Sequence, residues 1–363
     1  MITNSEIDKL RSIRAPEESV LSLYLEVPLD PAGLRELPAR ASDLIRAAAD
    51  ANPGKLAAED EEAARDAVAA GARNWLGHTV AIFVCGDIGL LEVVPLPGRF
   101  AERAVLAVRP HLRPLLAALQ RHPDHRILII DRRRAWLLAV TDDHIETVAS
   151  QPGESVSSPG FGGWYGLESY HVQQRVSELA RHHYRDAATI LSHAVQHSGP
   201  QPLVVGGHAV GIKHLLAELP PQLRDSYAGY FAADPHTLTP AKARDLADPV
   251  IAHWIEQREQ QQVRELTAAE SSAYAAVGLQ ACLAAVNADA VKLLLIPDEG
   301  MQPGYHCERC GVLSVTSDGC CDWGAAARAV PDLLEEMALR TLHEGGEVLS
   351  VRELPVGAAA SLR

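Results

Sequence analysis

The sequence predicts an α/β protein, and three observations carry that expectation. Short, strand-like apolar runs such as VLSLYLEV at Val20–Val27 and RILIID at Arg126–Asp131 recur along the chain. Ala-rich stretches of helical length separate them, around Glu36–Asp50 and Ala57–Leu76 in the first third and at Ser271–Val286 in the last. Turn formers punctuate the alternation, among them Asn52-Pro53-Gly54, Gly86-Asp87-Ile88-Gly89 and Pro220-Pro221. Apolar runs of strand length set between helical stretches favour sheets covered by helices.

At 363 residues the chain is long enough for two or three cores. Aromatic residues make up only 5%, so Ala, Leu and Val must fill those cores. The net charge of −14 argues against non-specific binding to nucleic acid, so any RNA contact needs a local basic face. No apolar run reaches the ~18 residues of a membrane span. The first residues, MITNSE, lack the basic-then-apolar pattern of a secretory signal. A cytoplasmic location is expected, with the six cysteines reduced unless a metal holds them.

The first domain is expected over residues 1–120. Val20–Val27 reads as a strand, followed by the two Ala-rich helices. Thr79–Cys85 and Leu90–Val94 read as a hairpin. The acidic run Glu59–Glu62 suits a helix N-terminus, where it opposes the dipole. Cys85, within a strand, reads as a buried hydrophobe.

The second domain is expected over 126–265. Arg126–Asp131 reads as a buried strand, and Ala135–Val140 with Ile145–Ala149 as a hairpin turning at Asp142-Asp143. A Ser/Pro/Gly-rich loop follows at Glu154–Gly166 and contains Gly162-Gly163-Trp164. It opens into a helix, roughly Glu168–His197, that carries Arg175, Arg181, His182, His183, Tyr184 and Arg185. Paired glycines let a backbone approach another closely, and a cationic helix suits phosphate. Adjacent His182 and His183 should face different ways on that helix. His193 and His197, four positions apart, share one face; that spacing could bind a metal, but a solvated face is the simpler reading. The run Arg132-Arg133-Arg134 belongs to a turn and reads equally as a phosphate contact or a solvated tip. Pro202–Val205 is a strand ending in Gly206-Gly207-His208, then a helix at Val210–Leu219. Gly206-Gly207 lacks the lysine of a Walker loop and the full dinucleotide fingerprint, so a tight turn is favoured. A polar helix is expected at Pro249–Leu266.

The third domain is expected over 271–363: the helix Ser271–Val286, a strand at Val291–Ile296, a Cys-rich insert at Tyr305–Trp323, a helix at Pro331–Glu344 and a strand at Glu347–Glu353. This order implies an α/β/α sandwich. In the insert, Cys307-x2-Cys310 followed by Gly311 has the spacing of a zinc-knuckle half-site. Cys320 and Cys321 would complete it, but they are adjacent, and Trp323 stands where a second Cys-x2-Cys would place its last thiolate. The alternatives are a structural zinc and a vestigial knuckle packed as a small hairpin. Cys282 reads as core.

From Arg126 onward the chain resembles the bacterial branch of the archaeo-eukaryotic class I peptide-release-factor and Pelota superfamily. The resemblance rests on an ordered series: the strand ending in Asp131, two strands, the Gly162-Gly163 loop, the stretch Arg181-His182-His183-Tyr184-Arg185, and Leu203-Val204-Val205-Gly206-Gly207. It implies a three-domain protein with a central ribonuclease-H-like domain. It also implies a ribosomal role for the loop, with Gly162, Gly163 and Trp164 touching RNA and Arg175, Arg181 and Arg185 holding rRNA or tRNA phosphate. The resemblance further implies a translational GTPase as partner. Release factors carry Gln after the glycine pair; this chain carries Trp164. Indole has one donor and no acceptor, so it can stack on a base but cannot stand in for an amide. A factor that occupies the ribosomal A site without hydrolysis is the expectation. The alternatives are a peptidyl-tRNA hydrolase or RNA-cleaving enzyme, and a stress-linked protein-interaction module.

Overall fold

The computed structural model describes residues 4–131, 134–141, 144–152, 181–194, 201–269, 272–317 and 327–363. It is a mixed α/β protein that divides into two compact units. One holds residues 1–121 together with 259–363; the other holds 122–258.

The first unit begins with α1 (Asn4–Ser12), β1 (Val20–Glu26), α2 (Pro31–Ala51), α3 (Ala58–Gly71), β2 (Thr79–Cys85), β3 (Leu90–Leu96), β4 (Arg103–Ala107) and α4 (Arg113–Arg121). The strands form an antiparallel sheet in the order β3-β2-β1-β4. Alternation decides its two faces. Leu21, Leu23, Leu25, Val80, Ile82 and Val84 pack under α2 and α3. Val20, Tyr24, Ala81, Phe83 and Cys85 pack with α1 and α4 on the other side. The acidic run does start α3, and Asp60 within it accepts a hydrogen bond from Gly86 N at 2.7 Å. The expected hairpin pairs Cys85 with Leu90. α1, β4 and α4 were not read from the sequence.

The second unit contains β5 (His125–Ile130), β6 (Arg134–Thr141), β7 (His144–Pro152), α5 (181–194), β8 (Leu203–Gly207), α6 (Ala209–Glu218), α7 (Pro221–Asp225), β9 (Tyr227–Ala232) and most of α8 (Pro240–Ala268). The sheet order is β7-β6-β5-β8-β9, with β5, β8 and β9 parallel. Leu128, Ile130, Val205 and Leu203 face α5 and α6. Ile127, Ile129 and Val204 face α8 through Ala243, Ala247 and Ile251. Residue-by-residue alternation in β5 thus feeds two cores, which is why RILII reads as a continuous apolar run. The expected start of α8 at Pro249 needs correction, because the helix already begins at Pro240 and runs through Pro249. A proline inside a helix costs about 3 kcal/mol. The buried stripe Ala243–Ala247–Ile251 spans the proline and holds both flanking turns on the sheet.

The rest of the first unit comprises β10 (Ala275–Val277), α9 (Leu279–Asn287), β11 (Val291–Pro297), β12 (Gly304–Cys307), β13 (Leu313–Ser314), β14 (Ala327–Val330), α10 (Leu333–His343), β15 (Glu347–Val351) and β16 (Ala359–Leu362). Its main sheet runs β10-β16-β11-β15, and β13-β12-β14 form a small second one. The helix expected over Ser271–Val286 is instead a short strand and a shorter helix. Gly278 divides them with φ +89°, a conformation that suits glycine.

The stretches 1–120 and 271–363, expected as separate domains, share this unit because a buried charge network joins them. The Arg113 side chain is fully buried and donates to Asp332, to Pro297 O at 2.6 Å and to Gly300 O at 3.1 Å. Asp332 is the N-cap of α10, accepting from Leu334 N at 3.2 Å, and also takes His111 Nε2 at 3.0 Å. Glu335 reaches the other way and accepts from the backbone N–H groups of Leu112 and Arg113 at 2.8 and 2.9 Å, at the start of α4. Each helix start is satisfied by a carboxylate. Gln120 then bonds the backbone of the edge strand β15, donating to Val348 O at 2.5 Å and accepting from Ser350 N at 2.8 Å.

Truncating Arg113→Ala should leave Asp332 buried without its counter-charge and cost about 3–5 kcal/mol in urea unfolding; a loss under about 1 kcal/mol would remove the network from this role. A second expectation concerns pH. His125 is buried at the start of β5, and burial lowers its pKa from 6.5. Its neutral form is the folded form, so its contribution to stability is held above pH 6.5 and lost as pH falls from there toward the lowered value. The acid limb of thermal unfolding should flatten in that window in His125→Asn.

Candidate functional site

The sequence places Gly162, Gly163, Trp164 and Arg175 in the connection between β7 and α5, outside the described residues. The described helix that follows shows how its basic residues are presented. α5 buries His183, Tyr184, Ala187, Ala188 and Leu191, one stripe at helical spacing. Arg181, His182 and Arg185 are left on the outer face, so His182 and His183 do point apart.

Arg181 and Arg185 are one turn apart and converge on one carboxylate. Glu218, at the end of α6, accepts Arg181 Nε at 3.1 Å and Arg185 Nε at 3.3 Å. The side chains remain 72% and 53% exposed. The hydrogen bond from Arg181, then that from Arg185, lowers the Glu218 pKa, so the carboxylate stays ionised. Two guanidinium groups meet one carboxylate, on a helix face that also exposes Asp186. A bridging acid also fixes the two arginines in register and reduces the entropy lost when they meet an anion. Glu218 was not singled out in the sequence, because nothing local marks it.

The glycine pair at the end of β8 has a different purpose from phosphate binding. A Cβ on Gly206 would lie 2.4 Å from Phe231 and 2.7 Å from Ile129. Gly207 has φ +147°, and its Cβ would lie 2.2 Å from Ile130 O. Both glycines let β8 close against its neighbours, as a tight βα turn requires. His208 follows as the N-cap of α6 without a side-chain cap hydrogen bond. Beyond it, a cavity of about 340 Å³ is lined by Ile130, Asp131, Tyr184, His208, Val210, Gly211 and His236.

The cysteine half-site takes a knuckle-like turn. Cys307, buried at the end of β12, accepts from Gly311 N at 2.8 Å and donates its N–H to Val312 O at 2.9 Å, and Gly311 has φ +71°. Cys310 is exposed, while Cys320 and Cys321 lie outside the described residues. Cys85 and Cys282 are buried as expected, and burial pushes the Cys282 thiol up to about 12. The tight cluster His111, Asp332 and Glu335 has metal-ligating groups, but the Arg113 guanidinium already supplies the cation. Among the described residues, no helix is long and apolar enough to cross a membrane.

Residues 110–259 match the model of Bacterial archaeo-eukaryotic release factor family 10. Similar solved structures include Pelota from Archaeoglobus fulgidus, 14% identical over 80% of each chain with a TM-score of 0.36. Dom34 from S. cerevisiae, a translation termination-like factor that interacts with Hbs1, is 10% identical over 80% of each chain with a TM-score of 0.42. An archaeal Pelota bound to the ribosome with ABCE1 is 16% identical, covering 79% of this chain and 78% of that one, with a TM-score of 0.41. No curated protein matches the sequence.

A Gly207→Ala substitution should cost about 1–3 kcal/mol in urea unfolding, through overpacking against the Ile130 carbonyl. A neutral outcome would mean that β8 can withdraw from β5 at no cost.

Proposed function

We propose that this protein is a ribosome-associated translation factor of the rescue or hibernation type, one that occupies the A site without hydrolysing peptidyl-tRNA. The observation that carries the reading is the release-factor match over 110–259, which encloses a glycine pair followed by Trp164. Hydrolysis at a release-factor tip depends on ordering water and donors around a developing charge. An indole supplies one donor and no acceptor. The loop therefore acts as a plug that stacks on exposed bases, while Arg181 and Arg185 anchor the helix behind it to RNA phosphate. Arg175 joins them in this proposal.

The resemblance extends the proposal to a translational GTPase as partner. Zinc, in the same proposal, is structural: Cys307 and Cys310 hold it with Cys320 and Cys321, and four thiolates leave no open position for chemistry. A cytoplasmic location follows from a ribosomal role. The hydrolase reading requires the Gly162-Gly163 backbone alone to order water.

Sedimentation with vacant and stalled ribosomes tests the reading. The purified protein should pellet with ribosomes, and Arg181→Glu with Arg185→Glu should weaken binding and lower the salt slope by about 1 for each lost phosphate contact. Retention in the supernatant with both kinds of ribosome would end the proposal. Release of peptide from programmed ribosomes by the wild type, lost in Gly163→Ala, would favour the hydrolase instead.

A further inference from the structure

The cavity beside α6 lies where an open α/β sheet forms a crevice. β5 passes its chain to β6 on one side, whereas its parallel neighbour β8 passes it through α6 and α7 to β9 on the other. The carboxyl ends of β5 and β8 therefore mark the point at which connections leave in opposite directions. Ligands bind outside the strand ends at such a point. Here those ends supply Ile130, Asp131 and His208 to the cavity, and the segment after β9 supplies His236.

The polar groups are specific. Asp131 is buried, and its Oδ1 is aligned by Arg134 N at 2.7 Å. Its Oδ2 lies 3.5 Å from Nε2 of the exposed His236. Tyr184 forms the floor: its hydroxyl lies 3.1 Å from where a Cβ on Gly211 would stand, so the glycine opens the space above it. The Tyr184 ring stacks on His214, with centroids 5.8 Å apart and planes 13° from parallel, which fixes the phenol. The exposed Val210 adds apolar wall. Among the described residues the tight cluster of metal-ligating groups is elsewhere, at His111, Asp332 and Glu335. Asp131 and His236 offer hydrogen-bonding groups to the cavity, and a carboxylate suits a ligand rich in hydroxyl donors.

We propose that this cavity is a ribonucleotide subsite in which the Asp131 carboxylate accepts the ribose hydroxyls and His236 and Tyr184 complete the polar contacts. Its volume of about 340 Å³ falls at the small end of ligand pockets, the size of one nucleotide rather than a longer segment. The apolar side chain of Val210 takes the flat face of the base. The shared chemistry is a ribonucleotide, whether free or as one residue of an RNA chain.

Isothermal titration of the full chain with AMP, CMP, GMP and UMP, their 2′-deoxy counterparts and a ribotetranucleotide tests the subsite. At least one ribonucleotide should bind saturably, and loss of its 2′-hydroxyl should weaken binding roughly tenfold or more. Asp131→Asn should weaken it similarly. His236→Ala, at an exposed position that the fold does not depend on, should weaken it as well and guards against a misfolded Asp131 variant. Tighter binding of the tetranucleotide assigns an RNA residue as ligand; exclusion of it assigns a free nucleotide. No saturable binding by any of these ribonucleotides up to about 10 mM, equal affinity for the deoxy forms, or unchanged affinity in the His236 variant overturns the proposal. Ribosome association is read separately, so a chain that pellets with ribosomes but binds no nucleotide loses only this inference.

Discussion

The first compact unit depends on one buried ion cluster. Taking Arg113, Asp332, Glu335 and His111 out of water is costly, and their mutual attraction offsets that cost only when nearly every polar atom is met. The geometry meets much of that condition, although His111 Nδ1 and Arg113 Nε are buried without a hydrogen-bond partner. Asp332 caps α10 while facing Arg113, and Glu335 caps α4 from the opposite side of the seam. Burial works to raise the pKa of both acids. At Asp332 the His111 hydrogen bond and the Arg113 charge outweigh it and the pKa falls, whereas at fully buried Glu335 desolvation prevails and the pKa rises. The cluster is therefore a matched set rather than a surplus of attraction, and it fixes which surfaces meet. Gln120 extends the match by occupying the backbone of β15, an edge that would otherwise offer unpaired groups to another chain.

The sequence made some of this legible and concealed the rest for physical reasons. Strands with strong alternation or continuous apolar character, such as β1, β2, β5 and β11, were found near their true limits. So was α10, whose apolar stripe and acidic start are both local signals. β4 and α4 escaped because Arg103–Ala107 is short and Arg113–Arg121 carries Pro114 in its first turn and a buried arginine where an apolar residue would be expected. The seam itself could not be read at all: Arg113 and Asp332 are over two hundred positions apart, and each alone looks like a surface charge. α8 was shortened because Pro249 is a strong local stop, and only packing against the sheet overrides it.

The candidate site was half legible for the same reason. A glycine pair ahead of a basic helix is a local pattern, and so is a half knuckle at Cys307 and Cys310. The contribution of Glu218 is long-range and needs the fold. Gly206-Gly207 shows the converse: a pair that invites a phosphate-cradle reading is required by the Ile130 carbonyl and the Phe231 ring.

For the proposed ribosomal role, Glu218 also bears on how a chain of net charge −14 could present a face to RNA. Long-range attraction is weak for such a protein, because its overall field repels a polyanion and salt screens the rest within about 10 Å. Recognition must then be local and geometric. A carboxylate that holds two arginines by their Nε atoms sacrifices part of the positive charge, yet it fixes the direction of what remains. Direction matters more than total charge when an anion must be met at one spot. In that proposed role the net negative charge of the chain would add specificity, since RNA that does not engage the pair would meet an acidic protein.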